Sequence, residues 1–189
     1  MKTIWKPGAM LAPVPPTLVS CGNGETSNIL TVAWTGIINS DPAMTYISVR
    51  RGRYSYGIIR ETGVFVINLP RSSMARQVDL CGVRSGRDTD KFALCGFTAE
   101  PSQPDGCPSI VECPVSISCR VKSVTPLGSH DMFIAEIASV SVDDSCIDQS
   151  GRFSAVRADL LAYAHGEYFS LGKRLGFFGF SVRKKGRRK

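Results

Sequence analysis

Short apolar runs separated by turn residues fill the first half of the chain. They predict four strands, at Thr17–Gly22, Asn28–Thr35, Met44–Val49 and Val64–Leu69. The Asn28–Thr35 run is almost continuously apolar and does not alternate, which predicts a strand buried on both faces. Asp41-Pro42 marks the turn between the second and third runs.

The second half of the chain contains two longer β runs. Val115–Val124 and Phe133–Val142 alternate between apolar and polar positions, and residues 126–131 between them predict a hairpin turn. Residues 98–109 contain three prolines and an Asp-Gly pair, so a loop is expected there. Leu160–Tyr163 is a last short apolar segment.

Helical patterns are few and short. One helix is predicted from Tyr54 to Thr62, with Gly63 as its C-terminal stop. Further helices are expected at Ser73–Cys81 and from Asp88 to Leu94. About six short strands with few helices favour a mainly β fold, a small Greek-key barrel, over a doubly wound α/β sheet.

The size and charge of the chain fit one globular domain with a basic end. It has 189 residues, 43% of them hydrophobic and 21% charged, and a net charge of +7. We expect one domain over residues 1–182 and a basic tail at 183–189, which carries six cations in seven residues. Such a run is a solvated tail or a contact with nucleic acid or membrane. Nucleic acid is disfavoured because the aromatic residues are not interleaved with the cations.

The cysteine and histidine content argues against a disulfide scaffold and a zinc site. The seven cysteines are odd in number and show no C-x-x-C spacing, and the chain has only two histidines. We therefore expect reduced, structural thiols and no metal. The chain starts without an apolar signal core and has no run long enough to cross a bilayer, so a cytoplasmic protein is expected.

Candidate chemistry is concentrated between residues 28 and 70. Arg50, Arg51 and Arg53 lie between a strand end and a helix start, where backbone N–H groups and arginine side chains favour a phosphate. An exposed basic turn is the alternative. Thr31–Gly36 offers a backbone edge that could pair with a flat ring such as a flavin. Trp34 is either a ring contact or a core residue, and Asn28 either a turn residue or a ligand contact. No GxGxxG or GxxxxGK loop is present, so neither a Rossmann site nor a P-loop is indicated.

The order of motifs along the whole chain resembles the flavin reductase-like family of FMN-binding split barrels, within it the flavoredoxin-like branch. The segments that carry the resemblance are Asn28–Trp34, Ile47–Val49 with Arg53–Ser55, Glu61–Pro70, Asp90–Phe92, Leu127–Phe133 and Tyr168–Lys173. The resemblance implies a mainly β fold, a six-stranded split β-barrel of Greek-key type, and a homodimer of such barrels with one FMN per subunit near the dimer interface. It also implies these cofactor-binding residues: Asn28, Thr31, Val32, Ala33, Trp34, Thr35, Ser48, Val49, Arg50, Arg53, Tyr54, Ser55 and Lys91.

Several roles stay open within that resemblance. Arg51 stands where relatives often have proline, which leaves open which arginine reaches the phosphate. Lys91 is a contact to FMN or a solvated helix lysine. His130, the candidate catalytic residue, positions a nicotinamide or steers a proton, or it is a turn residue with no role. The segment that begins at Tyr168 packs near the flavin or the interface, or it belongs to the core.

Three functions follow as hypotheses. The first is a flavin reductase that takes a hydride from NAD(P)H onto bound FMN and passes the electrons on; it requires no acid–base pair. The second is a flavoredoxin-type electron carrier that another redox protein reduces. The third, a nucleic-acid-binding barrel that uses the basic tail, predicts strongly salt-dependent binding and is disfavoured.

Overall fold

The structure is a computed structural model that describes residues 1–182; the basic tail at 183–189 lies outside them. Within residues 1–182 the strands are β1 (Thr17–Cys21), β2 (Asn28–Val32), β3 (Thr35–Ser40), β4 (Ala43–Val49), β5 (Val64–Leu69), β6 (Ala99–Pro101), β7 (Pro108–Ile110), β8 (Val115–Pro126), β9 (Asp131–Val142), β10 (Leu161–Ala164) and β11 (Glu167–Ser170). The α-helices are α1 (Tyr54–Thr62), α2 (Ala75–Val83), α3 (Lys91–Cys95) and α4 (Ala155–Ala158). Single 3₁₀ turns lie at Gly24–Thr26, Ser72–Met74, Asp144–Cys146 and Phe180–Val182.

The main sheet is antiparallel and has the strand order β2-β1-β5-β8-β9-β4-β3. Its two edge strands, β2 and β3, are consecutive along the chain and separated only by Ala33 and Trp34. The Ser48 N–H donates to the Trp34 carbonyl at 2.9 Å, which brings β4 close to the end of β2. The sheet therefore curls towards closure, and the fold is the predicted mainly β split barrel.

Two apolar clusters lie on opposite faces of β1 and β2. Val19 and Leu30 belong to the cluster inside the barrel, together with Phe65 and Phe133. Leu18 and the neighbouring Ile29 belong to a second cluster under α2 and α3. Because one cluster covers each face of β2, successive residues such as Ile29 and Leu30 are both apolar and buried. The prediction that this strand is buried on both faces is confirmed.

The number of strands differs from the sequence-based expectation. The run Asn28–Thr35, predicted as one strand, ends at Val32, and Thr35 begins a separate strand that pairs with β4. The main sheet consequently has seven strands and not the expected six. Hydrophobic pattern alone does not reveal this break, because Ala33 and Trp34 are as apolar as their neighbours while the chain passes from one edge of the sheet to the other.

The three predicted helices are present, and two of them have shifted ends. Helix α1 has the predicted bounds, and Gly63 ends it in the left-handed conformation with φ of 69°. The expected Ser73–Cys81 helix is a 3₁₀ turn followed by α2. The Asp88–Leu94 helix begins only at Lys91, because Asp90 is its N-cap and accepts from the Ala93 N–H.

The structure differs from the predicted loop at residues 98–109 and contains the predicted hairpin turn. Residues 98–109, expected as loop, contain the short pair β6–β7, so that expectation is wrong in part. The hairpin between β8 and β9 is present, with the Leu127 N–H donating to the His130 carbonyl at 2.9 Å. In the described part of the chain, no helix is long and apolar enough to span a membrane.

Candidate cofactor site

Two adjacent cavities open beside the outer edge of β2. The larger, here called the central cavity, has a volume of about 240 Å³, and the smaller, the side cavity, about 130 Å³. Leu30 and Arg53 line both. Together they fall in the range of about 300–1,000 Å³ that is typical of cofactor sites.

The backbone of β2 forms one wall of the central cavity. Because β2 is the edge strand, its outer N–H and C=O groups have no neighbouring strand. The Ile29 carbonyl points to this edge and accepts a hydrogen bond from Lys91 Nζ at 2.7 Å. Alternate residues of a strand direct their polar groups to the same side, so Thr31 presents its N–H at this edge as well.

Aromatic side chains flank the central cavity. The rings of Trp34 and His130 lie with centroids 4.5 Å apart, and those of Tyr163 and Tyr168 are 5.4 Å apart. Trp34 is 48% exposed, so its interpretation as a core residue is wrong. Tyr168 lines this cavity and also packs against the apolar cluster under α2 and α3, so it lies both beside the site and at the edge of that cluster.

Polar groups converge on the side cavity. The Asn28 side-chain amide donates to the Ser55 hydroxyl at 2.6 Å, and both residues are buried. Asn28 is therefore a strand residue that faces a cavity, and its interpretation as a turn residue is wrong. Ser55 lies in the first turn of α1, whose N-cap is Arg53. Arg53 donates to the Gly82 carbonyl at 2.8 Å, which links this turn to the end of α2.

Gly86 allows the close approach on the opposite wall of the side cavity. A Cβ atom at this position would lie 2.2 Å from Asn28 Oδ1, so only glycine fits without a shift of the asparagine. The cavity exists in its present shape because residue 86 has no side chain.

Lys91 is buried, and its interpretation as a solvated helix lysine is wrong. Its ammonium group donates to the carbonyls of Ile29 and Cys81, at 2.7 and 2.9 Å. Burial lowers the pKa of this lysine, and the neighbouring Arg53 guanidinium lowers it further. Lys91 thus ties β2 to α2 at the wall of the side cavity.

The three arginines differ in their partners. Arg51 donates from Nε to both carboxylate oxygens of Asp131, at 2.9 and 3.1 Å. Arg53 lines both cavities, whereas Arg50 lines only the central one of the two. Of the three, only Arg53 lines the side cavity.

His130 lies at the rim of the central cavity, next to Trp34. Its Nδ1 is 2.9 Å from the Ser129 hydroxyl. Partial burial lowers the pKa of His130, and the charges of Arg50 and Arg53 lower it further. The neutral imidazole is therefore the favoured form at neutral pH.

The structure brings the predicted site residues together with one exception. Thr35 lines neither cavity, because its hydroxyl donates to the Tyr46 carbonyl within the β3–β4 pair. All the other predicted cofactor-binding residues line one of the two cavities. The sequence-based prediction did not include the wall at the end of α2, which is formed by Gly82 in its last turn and by Arg84, Ser85 and Gly86 after it. The polar, glycine-containing run after a predicted helix was the signal for it.

The cysteines lie outside the two cavities. All seven are unpaired, and six of them are buried. Burial raises the pKa of the Cys21 thiol to about 11 and that of the Cys81 thiol to about 12. Across residues 1–182, no three His, Cys, Asp or Glu side chains cluster as a metal site would require.

The chain is similar to known flavoproteins in sequence and in fold. The flavoredoxin of Desulfovibrio vulgaris (Miyazaki F) is 31% identical with a TM-score of 0.90, over 97% of this chain and 100% of that chain. The flavoredoxin from Methanosarcina acetivorans is 25% identical with a TM-score of 0.87 over the same shares. The NADPH-flavin oxidoreductase of Streptomyces viridifaciens is 28% identical over 127 residues, which cover 66% of this chain and 64% of that protein.

The family match spans most of the chain. A sequence model described as "Flavin reductase like domain" matches residues 10–172 and so includes every residue of the two cavities. The chain therefore belongs to the flavin reductase-like family.

Proposed function

We propose that the protein binds FMN and acts as an NAD(P)H-dependent flavin oxidoreductase. The observation that carries this proposal is the junction of the two cavities at Leu30 and Arg53. An open strand edge with aromatic walls suits a flat ring, and the adjoining cavity, with Arg53, Asn28 and Ser55, suits a phosphate.

The residues of the site fit a flavin with one phosphate. The side cavity combines a guanidinium, a hydroxyl and the absence of a Cβ at Gly86, a combination that favours a compact anion. A further cavity beyond Tyr54 and Gly86 is lined by three carboxylates, of Asp88, Asp90 and Glu100, and by one cation, Arg87. The net negative charge of this lining would disfavour a second phosphate, which favours FMN over a dinucleotide flavin.

The chain's own residues bind and orient the cofactor. A bound flavin supplies hydride and electron transfer, which no side chain provides. The Thr31 N–H at the edge of β2 holds one edge of the ring, and Arg53 and Ser55 hold the phosphate. Trp34 and His130 border the open side, where a nicotinamide has access. Lys91 fixes β2 against α2 and adds positive charge behind the phosphate.

A flavoredoxin-type electron carrier is the alternative function. Two of the solved structures similar to this chain are flavoredoxins, whereas the NADPH-flavin oxidoreductase similarity covers a smaller part of the chain. Anaerobic mixing of the FMN-loaded protein with NADPH or NADH separates the two. A reductase bleaches its flavin absorbance at a rate that depends on the nucleotide concentration. A carrier stays oxidised with both nucleotides and is reduced only by a redox protein.

The proposal includes a cytoplasmic homodimer. In support, the edge strand β3 exposes Ile37 and Ile38, at 69% and 47%, next to the exposed Trp34. An apolar sheet edge of this kind is suited to burial against a second copy of the chain. Contact at β3 would place the partner beside Trp34 and hence beside the central cavity.

A further inference from the structure

We propose that a groove lined by arginines, which meets the side cavity at Gly52 and Arg53, binds the pyrophosphate of the nicotinamide dinucleotide that reduces the flavin. The groove has a volume of about 610 Å³, and Arg50, Arg51, Gly52, Arg53, Gly128 and Ser129 line it. This inference rests on the proposed reductase function and identifies the part of the donor that the protein recognises.

Most of the cationic groups in this groove remain open to a ligand. Arg50 makes no side-chain hydrogen bond or ion pair with residues 1–182 and is exposed. Arg51 uses only its Nε towards Asp131, and its side chain is 58% exposed, so the two terminal nitrogens can donate elsewhere. Guanidinium groups in this state favour phosphate oxygens, with which they form bidentate hydrogen bonds.

Among residues 1–182, no carboxylate lines the groove. Asp131 pairs with Arg51, but its side chain is 2% exposed and does not line the groove. Its oxygens are already engaged by Arg51 and by the Tyr56 hydroxyl at 2.6 Å. Because Arg53 is assigned to the FMN phosphate, Arg50 and the terminal nitrogens of Arg51 are the cationic groups left for the donor.

The Arg51–Asp131 ion pair fixes the two walls of the groove relative to each other. Arg51 belongs to the loop between β4 and α1, and Asp131 begins β9 directly after the hairpin with Gly128 and Ser129. Tyr56 ties Asp131 to α1 and accepts a hydrogen bond from Arg60 at 3.0 Å. A ligand that enters thus meets walls already in place and loses less binding free energy to ordering them.

The groove continues into the central cavity. Arg50 and Arg53 line both, and His130, which lines the central cavity with Trp34, directly follows Ser129 of the groove. In a nicotinamide dinucleotide the ring is joined to the pyrophosphate through one ribose. A nicotinamide beside Trp34 and His130 therefore places its pyrophosphate one sugar away, in the direction of the arginines. The pyrophosphate is common to NADH and NADPH, so both donors are recognised.

Donor kinetics of the FMN-loaded protein test this proposal with a matched pair of variants. Arg50→Gln removes an arginine of the groove, and Arg76→Gln removes an exposed arginine on α2 that lines no cavity described here. The donors are NADPH, NADH and 1-benzyl-1,4-dihydronicotinamide, which has no phosphate. We expect Arg50→Gln to raise the KM for both dinucleotides roughly three- to tenfold relative to the KM for the phosphate-free donor. Arg76→Gln leaves that ratio at the wild-type value.

Inorganic pyrophosphate provides a second readout. It should inhibit competitively against NADPH, with an inhibition constant that rises in Arg50→Gln, and it should not inhibit the reaction of the phosphate-free donor. An equal change for all three donors, or no change, would overturn the proposal. The proposal would also be overturned if Arg50→Gln raised the KM for free FMN as electron acceptor, relative to the KM for riboflavin, and left the KM for the donor unaltered. In that case the groove would bind the phosphate of the acceptor.

Failure of the reductase function has a different signature. If wild-type protein oxidises neither NADPH nor NADH while it still reacts with the phosphate-free donor, both the reductase function and the donor groove are wrong. If wild-type protein oxidises both dinucleotides and Arg50→Gln keeps the wild-type KM ratio, the groove alone is wrong.

Discussion

The side-chain amide of Asn28 donates to the Ser55 hydroxyl across 2.6 Å, and this bond joins β2 to the first turn of α1. The two residues are far apart in sequence and both are buried at the wall of the side cavity. The bond fixes the hydroxyl at the start of the helix, where we propose that the phosphate binds, so the proposed anion site would be formed before the ligand arrives.

Substitution of Gly86 should close this site. In Gly86→Ala the new Cβ would lie 2.2 Å from Asn28 Oδ1, so the asparagine must move and its bond to Ser55 is strained or lost. We expect the Kd for FMN, measured by fluorescence titration, to rise about tenfold or more, which is the loss of one good hydrogen bond to a charged group.

Gly57→Ala is the matched control. Gly57 lies exposed within α1, and a Cβ there meets nothing within 4 Å. It should leave the Kd for FMN at the wild-type value and raise the free energy of unfolding by about 0.5–1 kcal/mol, because alanine favours helix. Wild-type affinity in Gly86→Ala would show that the phosphate binds elsewhere.

The sequence indicated most of the barrel and one side of the site. The hydrophobic periodicity and the turn residues predicted β5, α1 and the β8–β9 hairpin, because each of these elements depends on residues that are close together in sequence. The break at Ala33-Trp34 was missed, since it depends on the pairing of Thr35 with Ile47. The wall at Gly86 was missed as well, because its meaning lies in a contact with Asn28, which is distant in sequence. Burial of Lys91 is likewise a product of tertiary packing of α3 against β2.

Removal of the Lys91 ammonium should affect both stability and cofactor binding. In Lys91→Met the buried carbonyls of Ile29 and Cys81 lose their donor, which lowers the free energy of unfolding by about 1–3 kcal/mol. The Kd for FMN should rise as well, because a positive charge beside the phosphate is lost. Urea unfolding and FMN titration measure the two effects. Lys173→Met, which removes an exposed lysine, should change neither quantity. If Lys91→Met also changed neither, Lys91 would have no role in stability or in FMN binding.

The Asp131 carboxylate should make the free energy of unfolding depend on pH in the acidic range. The Tyr56 hydroxyl and the Arg51 guanidinium hold the pKa of Asp131 below its usual value in the folded protein. The resulting stabilisation is fully present above the unfolded-state pKa of about 3.9, and it is lost as the pH falls through the lower folded-state pKa. In Asp131→Asn the difference in stability from wild type should therefore be largest above about pH 4 and shrink below it. Parallel stability curves for the two proteins would contradict this assignment.

Arg50 should influence the titration of His130. Burial, then Arg50 and Arg53, hold the pKa of His130 below its ordinary value. Removal of one nearby positive charge in Arg50→Gln should raise the pKa of His130 towards 6.5, the usual value for histidine. NMR titration of the imidazole resonances measures this shift, and His130→Gln assigns the signal. A shift in the opposite direction, or none, would place Arg50 away from the imidazole.

A charge on the exposed edge strand should disrupt the proposed dimer. Ile37→Lys introduces a cation at an exposed apolar position of β3, and sedimentation should show a shift from dimer to monomer. Ser40→Lys adds the same charge at an exposed polar position of that strand and should leave the dimer intact. A wild-type monomer, or a dimer that tolerates Ile37→Lys, would argue against an interface at β3.

FMN titration of the wild-type protein and of Arg53→Gln decides whether the chain binds FMN at the two cavities. Wild-type protein should be yellow as purified, or should bind added FMN with one site per chain. Arg53→Gln should raise the Kd by about tenfold or more, because the variant loses a charge-assisted contact to the phosphate, whereas Arg76→Gln should keep the wild-type Kd. A colourless protein that fails to bind added FMN would show that this is not an FMN-binding protein.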